Sequence, residues 1–258
     1  EPSTIRVRAT TEGSELADAD ILIFFVKSGA TSAVARQFAA LAKPSAVAVT
    51  MQNGLGNEQI LRKAFGAART AAGVTSQGAT FLGPGRIRHA GAGATHLGMS
   101  DRTNEKLDGL AELLNRAGFE THLAPDIDSL IWSKLVINVG INALTALTGL
   151  PNGRLLEFSE TRALMADLVE EAVRVAGAKG VSLTYAEPLA MVYSVAEKTA
   201  RNRSSMLQDF DRRQASEIDV INGASVCEAE ARCIEVPVNR TVTRLIKALE
   251  AVRAQAGA

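Results

Sequence analysis

A polar stripe inside an apolar segment constrains this chain more than any other sequence feature. Residues Ile131–Leu150 are mostly apolar, yet Lys134, Asn138 and Asn142 recur among them at intervals of four residues. At about 100° per residue, side chains with this spacing fall within about 80° of arc on one face of a helix. A lysine and two carboxamides on a buried helix cost free energy unless they meet partners or a polar ligand. The spacing therefore predicts the wall of a site for a small polar molecule.

A purely structural interpretation of the stripe competes with this one. A lysine and two asparagines could cap a neighbouring helix or bridge two domains, because buried polar networks are often only structural. Asparagine is a mediocre helix former, so helix propensity does not explain why it occurs twice. Other segments have to decide between the two interpretations.

Length and charge exclude several classes of protein. A chain of 258 residues suits two domains of ordinary size. Its 28 basic and 28 acidic side chains balance, so no overall field attracts nucleic acid or an anionic membrane. No apolar run reaches the roughly 18 uncharged residues typical of a membrane span. We therefore expect neither nucleic acid nor a membrane as a partner.

The metal-binding and thiol residues do not form a recognisable cluster. Cys227 and Cys233 are six residues apart on a predicted helix, about 240° around it, which suits neither a local disulfide nor a metal pair. The three histidines, His89, His96 and His122, lack a metal-ligand spacing, so we expect surface or sheet positions and no metal. Two free thiols, with no targeting segment recognised, indicate the reducing cytoplasm.

The first half of the chain alternates strand-like and helix-like segments. Ile21–Val26 is a short apolar run rich in branched and aromatic residues, as in a buried parallel strand. This alternation predicts an α/β sheet with helical cover over residues 1–125. Further strands are predicted at Ser45–Met51, Ala71–Ser76, Arg86–Ala90, Thr95–Met99 and Phe119–Leu123, and helices at Thr31–Leu41, Glu58–Phe65 and Thr103–Ala117.

The second half, residues 126–258, is predicted to be entirely helical. Prolines punctuate its long periodic segments, and no strand signal of comparable strength follows Pro125. The domain boundary is expected near Ala124–Asp128. The predicted helices are Ile127–Thr148, Glu160–Lys179, Ala186–Arg201, Gln214–Cys233 and Val238–Arg253.

The predicted sheet lacks cover for its first strand. Only Ile5–Ala9 precedes Ile21–Val26 as a possible strand, and no GxGxxG motif follows an N-terminal strand. An uncovered edge of apolar strands is an aggregation hazard. We therefore expect an incomplete dinucleotide-binding domain that lacks its first βα unit, with such a unit preceding Glu1 in the natural protein.

Polar residues follow the first two predicted strands where each ends. Lys27 comes directly after the first strand, and the loop Asn53–Gly56 comes after the second. Ligands of open parallel sheets bind beyond these strand ends, and glycines allow a backbone to approach a ligand closely. The alternatives are a solvated lysine and an ordinary β–α turn.

Two further polar groups lie in the helical half. Ser204–Asp209 falls between two predicted helices, and Glu217 comes early on the second of them. Ser204 or Ser205 could be a simple helix N-cap, and Glu217 could lie on a solvated helix face. Together with Asn152 and the stripe, these groups place many polar residues in a helical domain beside a nucleotide-type sheet.

The order and spacing of these motifs resemble the ketopantoate reductase (2-dehydropantoate 2-reductase) family. The resemblance covers nearly everything from Ile21 onward. It rests on the loop QNGLG at 52–56, WSKLVINVGINALTA at 132–146, PNG at 151–153, SSMLQD at 204–209 and EIDVING at 217–223. It implies a Rossmann-type NADPH domain, a helical domain, and an active site in the cleft between them.

The resemblance also implies a reaction and a set of residue roles. Family members reduce 2-dehydropantoate to pantoate with NADPH, toward pantothenate and coenzyme A. Lys134 would be the general acid, and Glu217 would contact the nicotinamide end and orient Lys134. Substrate would be held by Asn138, Asn142, Asn152, Ser205, Met206, Leu207 and Gln208, and the NADPH path would be lined by Lys27, Asn53, Ala79 and Glu217.

Three alternatives stay open at this point. The same frame could serve a related reductase of another 2-keto or 3-hydroxy acid. It could also be a non-catalytic binding protein, if the nucleotide fingerprint is truly absent. The long helices after Glu160 could pack within one chain or across a homodimer.

Overall fold

Seven strands form the sheets of the first domain. The computed structural model describes residues 3–99 and 105–255. The strands are β1 (Ile21–Phe24), β2 (Val47–Thr50), β3 (Thr70–Thr75), β4 (Gly78–Gly83), β5 (Arg86–Gly91), β6 (Thr95–Gly98) and β7 (Thr121–Leu123). Five of them form one sheet in the order β1-β2-β3-β6-β7, in which β1, β2 and β3 are parallel. Strand β6 runs antiparallel to β3, and β7 runs parallel to β6, so the sheet is mixed.

Helices cover both faces of this sheet. They are α1 (Thr31–Leu41), α2 (Asn57–Phe65) and α3 (Glu105–Arg116). All four residues of β2 are buried, because alternate side chains enter different apolar clusters. Ala48 packs in the cluster that holds Leu61 and Phe65 of α2, whereas Val47 and Val49 pack in the cluster that holds residues of α3. The apolar runs of the sequence thus form strands buried on both sides, as predicted.

Strands β4 and β5 form a separate two-stranded antiparallel hairpin. Strand β4 was not predicted from the sequence. It begins at Gly78 and ends at Gly83, and its apolar residues Phe81 and Leu82 are exposed. Such a strand lacks the alternation of buried and polar side chains by which half-buried strands are recognised.

One long helix forms the centre of the second domain. Helix α4 (Ile127–Thr148) packs against α5 (Ser159–Ala178), α6 (Pro188–Lys198), α7 (Ser205–Asp211) and α9 (Pro237–Gln255), and α8 (Asn222–Glu230) packs on α5 and α9. Asp126 caps the start of α4 by accepting from the Ser129 N–H at 3.0 Å. Gly149, with φ of 73°, ends it in the left-handed conformation. The predicted bounds of α4 are confirmed.

Helix α4 also has the length and hydropathy of a membrane span, with a mean hydropathy of 1.5 over its most apolar window. Two-thirds of that window (67%) is buried inside the fold. The helix therefore has the burial of a core helix, and its apolar character is accounted for by packing within the protein.

One possible strand does not form, and two predictions about secondary structure were wrong. Ile5–Ala9 is not a strand; this exposed segment alternates apolar residues with arginines and has no regular structure. Strand β1 is therefore an edge of the sheet within residues 3–99 and 105–255. The predicted helix Gln214–Cys233 begins only at Asn222, since Ile221 has the non-helical angles φ −105° and ψ −94°. In turn, α7 forms where a connection was expected, and Arg213 follows it with φ of 54°.

Candidate active site

The Lys134 side chain reaches the carboxyl end of the sheet. Its Nζ donates a hydrogen bond of 2.7 Å to the main-chain oxygen of Thr75, the last residue of β3. Helix α4 packs directly on β3, which brings the polar stripe to the strand ends. The contact satisfies one of the three N–H donors of an ammonium group. Two donors remain for a ligand.

Burial sets the acidity of this amine. Desolvation lowers the pKa of Lys134 from 10.5 to about 8, and the negative charge of Glu217 opposes part of that change. At neutral pH the group is still protonated, but it loses its proton more readily than an exposed lysine does. An ammonium of this acidity is suited to general acid chemistry.

The two asparagines of the stripe have no structural partner. Asn138 is half-buried and Asn142 is buried. Within residues 3–99 and 105–255, neither carboxamide makes a hydrogen bond; the only bond involving Asn142 beyond helix pairing is one that its main-chain oxygen accepts from Thr145. In the described part of the chain, the two asparagines therefore neither cap a helix nor bridge the domains. Of the stripe, Lys134 alone bridges the domains, through its bond to Thr75.

Asn152 lies in the turn that follows α4. Its Nδ2 donates to Thr199 Oγ1 at 2.9 Å, and its main-chain N–H donates to the Asn202 carbonyl at 3.0 Å. Its Oδ1 is buried and has no partner among the described residues. A buried acceptor without a donor is costly unless a ligand or water supplies one.

The N-cap interpretation is confirmed for Ser204, whose Oγ accepts from the Leu207 N–H at 3.1 Å. Ser204 Oγ also bonds Thr145 Oγ1 of α4 at 2.7 Å, which joins the start of α7 to α4. Ser205 is the first residue of α7, and it is exposed. Its hydroxyl is available to a ligand, unlike that of Ser204.

The remaining residues of this segment are unequally accessible. The side chains of Met206 and Leu207 are fully buried, so their proposed substrate contacts are limited to main-chain atoms. Gln208 is half-buried, and its Nε2 donates to the Arg203 carbonyl at 2.9 Å. Gln208 thus keeps its side-chain oxygen for other partners.

Glu217 does not lie on a solvated helix face. It precedes a short 3-10 turn, Ile218–Val220, and is only 8% exposed. One of its oxygens, Oε1, accepts from the Ser28 N–H at 3.3 Å. A carboxylate of the helical domain therefore reaches the segment that follows β1, and it acts electrostatically on Lys134.

Lys27 also binds the helical domain, through a residue to which the sequence analysis gave no role. Its Nζ lies 2.9 and 2.7 Å from the two carboxylate oxygens of Asp209 on α7. The only sequence signal for Asp209 is its place in the SSMLQD motif, because its partner is 182 residues away in the chain.

The glycine loop after β2 contacts the helical domain. Gly54 has φ of 83°, and a Cβ there would lie 2.3 Å from the Val220 carbonyl oxygen. That oxygen accepts from the Leu55 N–H at 2.9 Å. The close approach expected at this loop is thus made to protein backbone at Gly54.

The positions of Asn53 and Ala79 give weaker support to their predicted cofactor roles. Asn53 is half-buried after β2, and its main-chain oxygen accepts from Asn57 Nδ2 at 3.1 Å. Gln52, which the sequence analysis missed, joins the loops after β1 and β2 by donating to the Val26 carbonyl and to Thr31 Oγ1. Ala79 is exposed on the β4–β5 hairpin, paired with His89. The cofactor roles of Asn53 and Ala79 stay predictions.

A cavity of about 670 Å³ also opens between the domains. Helices α2 and α8, the first turns of α4 and the sheet enclose it, with Trp132 and Gly73 in its lining. Gly54, Leu55 and Gly56 of the predicted ligand loop line this cavity, whereas none of the residues assigned a catalytic, substrate or cofactor role does.

The residues present fit a nicotinamide dinucleotide and a small acid. Lys27 and Asn53 follow strand ends, and Lys134 keeps two donors. Among the described residues, the carboxamides of Asn138 and Asn142 make no hydrogen bond, and Asn152 Oδ1 has no donor. Rossmann-like strands with helical cover, joined to a helical domain that presents an amine at the strand ends, define a two-domain oxidoreductase.

Comparisons with known proteins agree with this class. The family model "Ketopantoate reductase PanE/ApbA" matches residues 2–102, and its C-terminal counterpart matches residues 126–250. A 2-dehydropantoate 2-reductase of Halobacterium salinarum is 36% identical over 243 residues, which cover 94% of this chain and 80% of the relative. The chain belongs to the ketopantoate reductase family.

Solved structures show the same architecture. A PanE/ApbA family ketopantoate reductase from Ralstonia eutropha JMP134 superposes with a TM-score of 0.90 at 32% identity, covering 98% of this chain and 83% of that one. A D-mandelate dehydrogenase in complex with NADH superposes with a TM-score of 0.84 at 26% identity, covering 90% and 79%. A Rossmann-like domain followed by a helical domain is thus confirmed.

Proposed function

We propose that this protein reduces 2-dehydropantoate to pantoate with NADPH and that Lys134 is its general acid. The observation that carries the proposal is the Lys134 ammonium, half-buried at the end of β3, with one hydrogen bond made and two donors unused among the described residues. Family membership supports the reaction and the cofactor.

Lys134 has two tasks in this reaction. When bound, NADPH supplies a hydride to the keto carbon of the substrate. Negative charge then grows on the carbonyl oxygen, and the ammonium stabilises it electrostatically before delivering a proton. A pKa of about 8 favours this transfer, since the proton is held less tightly than on an exposed lysine.

Glu217 supports Lys134 without sharing its proton role. Burial alone would depress the pKa of the amine further, and the carboxylate keeps it protonated to a higher pH. Because Glu217 also accepts from the Ser28 N–H, it lies beside the segment proposed to meet the cofactor. We therefore propose that Glu217 contacts the nicotinamide end of the cofactor.

The amide side chains suit a hydroxy acid. A carboxamide both donates to a carboxylate and accepts from a hydroxyl. Asn138 and Asn142 have both functions unused, and Asn152 offers its buried Oδ1. Ser205 and Gln208 complete the substrate wall from α7, with Met206 and Leu207 contributing main-chain atoms.

The test measures NADPH oxidation in the presence of 2-dehydropantoate. The loss of absorbance at ~340 nm reports this oxidation. Wild type should consume NADPH only when the keto acid is present, and Lys134→Ala should not consume it measurably faster than buffer. Full activity of Lys134→Ala, or no activity of wild type toward the keto acid, would overturn the proposal.

A second candidate substrate is another 2-keto acid. It is favoured by the 26% identity to a D-mandelate dehydrogenase that binds NADH. Comparing kcat/KM for 2-dehydropantoate and an aromatic 2-keto acid, each with NADPH and NADH, decides between them. A higher value for the aromatic acid would replace the first candidate, and absence of NADPH binding would favour a non-catalytic protein.

Assembly and location are further proposals. We propose a cytoplasmic protein, supported by Cys227 and Cys233, both free and exposed. We also propose a homodimer formed through the long helices of the second domain. Light scattering after size-exclusion chromatography measures the mass directly, and a value near the 27.2 kDa of one chain would contradict the dimer.

A further inference from the structure

Two buried carboxylates of the helical domain hold the segment that follows β1. Asp209 binds the Lys27 ammonium through both of its oxygens, and Glu217 binds the Ser28 N–H. These contacts fall on adjacent residues of the segment. The cofactor lysine of the proposed function is therefore fixed from the helical domain.

The exposures of the two partners differ sharply. The Asp209 side chain is 5% exposed, whereas that of Lys27 is 53% exposed. A buried carboxylate without its cation is strongly unfavourable, so Asp209 constrains where the ammonium lies. The open side of Lys27 stays accessible to a ligand.

We propose that Asp209 is the positioning residue for Lys27 and directs it to a hydroxyl of the nicotinamide half of the cofactor; this rests on the proposed function. Two of the three ammonium donors face Asp209, which leaves one for a ligand. The carboxylate also balances the charge of Lys27, so the remaining donor suits a neutral hydroxyl better than a phosphate. In the proposed function Glu217 contacts the nicotinamide end, and its bond with Ser28 brings it beside Lys27, so this donor is expected at the same end.

The expected effect of Asp209→Asn is a selective loss of affinity. Freeing a long side chain that was held in one geometry costs roughly two- to tenfold in binding. The Kd of NADPH should rise by this factor, while that of 2′,5′-ADP, which lacks the nicotinamide half, should not change. A merely structural role would move both constants or only the melting temperature.

The experiment compares four proteins by fluorescence titration with NADPH and calorimetric titration with 2′,5′-ADP. They are wild type, Asp209→Asn, Asp209→Glu and the matched control Asp211→Asn. Asp211 lies on the same helix and forms an exposed ion pair with Arg203 at 2.7 Å. Asp211→Asn should bind both ligands like wild type, and Asp209→Glu should recover most of the NADPH affinity.

A second variant changes Lys27, the exposed partner of the ion pair. Lys27→Gln should show the same selective loss, and Asp209→Asn should add little to it in the double variant, because the carboxylate acts through the lysine. This variant also serves if Asp209→Asn does not fold.

The outcomes separate the inference from the proposed function. Equal losses for both ligands, unchanged NADPH affinity, or additive effects of the two substitutions would overturn the role of Asp209. Wild type that binds NADPH but does not reduce the keto acid would overturn the proposed function alone. Wild type that does not bind NADPH would overturn both.

Discussion

Lys134 and Thr75 join the two domains through one hydrogen bond between an ammonium and the carbonyl that ends β3. The bond ties the central helix of the second domain to the strand end of the first. It also holds the amine in place and leaves two of its donors unused among the described residues.

Replacing Lys134 with alanine should abolish turnover and preserve the fold. General acid catalysis contributes about 10²- to 10⁴-fold to rate, so kcat should fall by at least this much. Circular dichroism should be unchanged. Lys247→Ala, at an exposed ion pair with Asp219, is the control and should keep wild-type kcat. Retention of kcat in the Lys134 variant would remove the residue from the mechanism.

The rate of keto-acid reduction should decline above a pH of about 8. The protonated form of Lys134 is the acid, and its pKa lies at about 8. A profile of kcat/KM against pH checks this. In Glu217→Gln the charge that raises this pKa is gone, so the decline should begin at lower pH. An identical profile for this variant would show that Glu217 does not influence the pKa of Lys134.

The buried amine should also lower the stability of the protein near neutral pH. Its pKa of about 8 in the fold lies below its ordinary value of 10.5, which corresponds to roughly 3 kcal/mol of unfolding free energy. This cost is full below pH 8 and disappears as pH rises toward 10.5. As the pH rises from 8 to 10.5, the unfolding free energy of wild type should therefore increase relative to that of Lys134→Met.

Urea unfolding of both proteins at pH 7.5 and 10 measures that difference directly. Using the change with pH avoids the separate cost of leaving the Thr75 carbonyl without its donor in Lys134→Met. Parallel behaviour of the two proteins would show that the amine is not desolvated.

Gly54→Ala should weaken the contact between the domains. The new Cβ would lie 2.3 Å from the Val220 oxygen, at a φ of 83°. Gly56→Ala is a matched control, because its φ is 92° but a Cβ there meets nothing within 4 Å. Both variants suffer backbone strain of about 1 kcal/mol. The melting temperature of Gly54→Ala should fall several degrees further than that of Gly56→Ala. Equal losses in the two variants would exclude the clash.

Glu171→Gln should destabilise the helical domain. The buried Glu171 carboxylate accepts from the N–H groups of Val238 and Asn239, at 2.9 and 2.8 Å, in the first turn of α9. Charged acceptors at a helix start stabilise it, so the loss should be about 1–3 kcal/mol by urea unfolding. Glu170→Gln, at the neighbouring exposed position, should change stability little; an equal effect would refute the capping role.

Much of the fold was predictable where burial and helix ends have strong local signals. Helix α1 and helix α4 have the predicted bounds, the latter because Asp126 and Gly149 mark its ends. Strands β1 to β3 follow from short apolar runs. By contrast, β4 is exposed and has no such signal. The break before α8 depends on the backbone angles of Ile221, which no residue pattern predicted.

The candidate site could be proposed from its residue types, but its pairings could not be predicted. Regular spacing on one helix revealed Lys134, Asn138 and Asn142. The bond from Lys134 to Thr75 and the ion pair of Lys27 with Asp209 join residues 59 and 182 positions apart. Such contacts depend on how the domains pack, which local periodicity does not encode. Asp209 was therefore overlooked.

The stripe on α4 also sets a limit on size. Residues 134 and 142 are eight positions apart, and at about 1.5 Å per residue the helix separates them by about 12 Å. Because the helix is rigid, this distance between the two backbone positions is fixed. A compact acid of a few carbons is shorter than it, so such an acid meets both residues only where the side chains of Lys134 and Asn142 converge, whereas a long-chain acid would extend along the whole stripe.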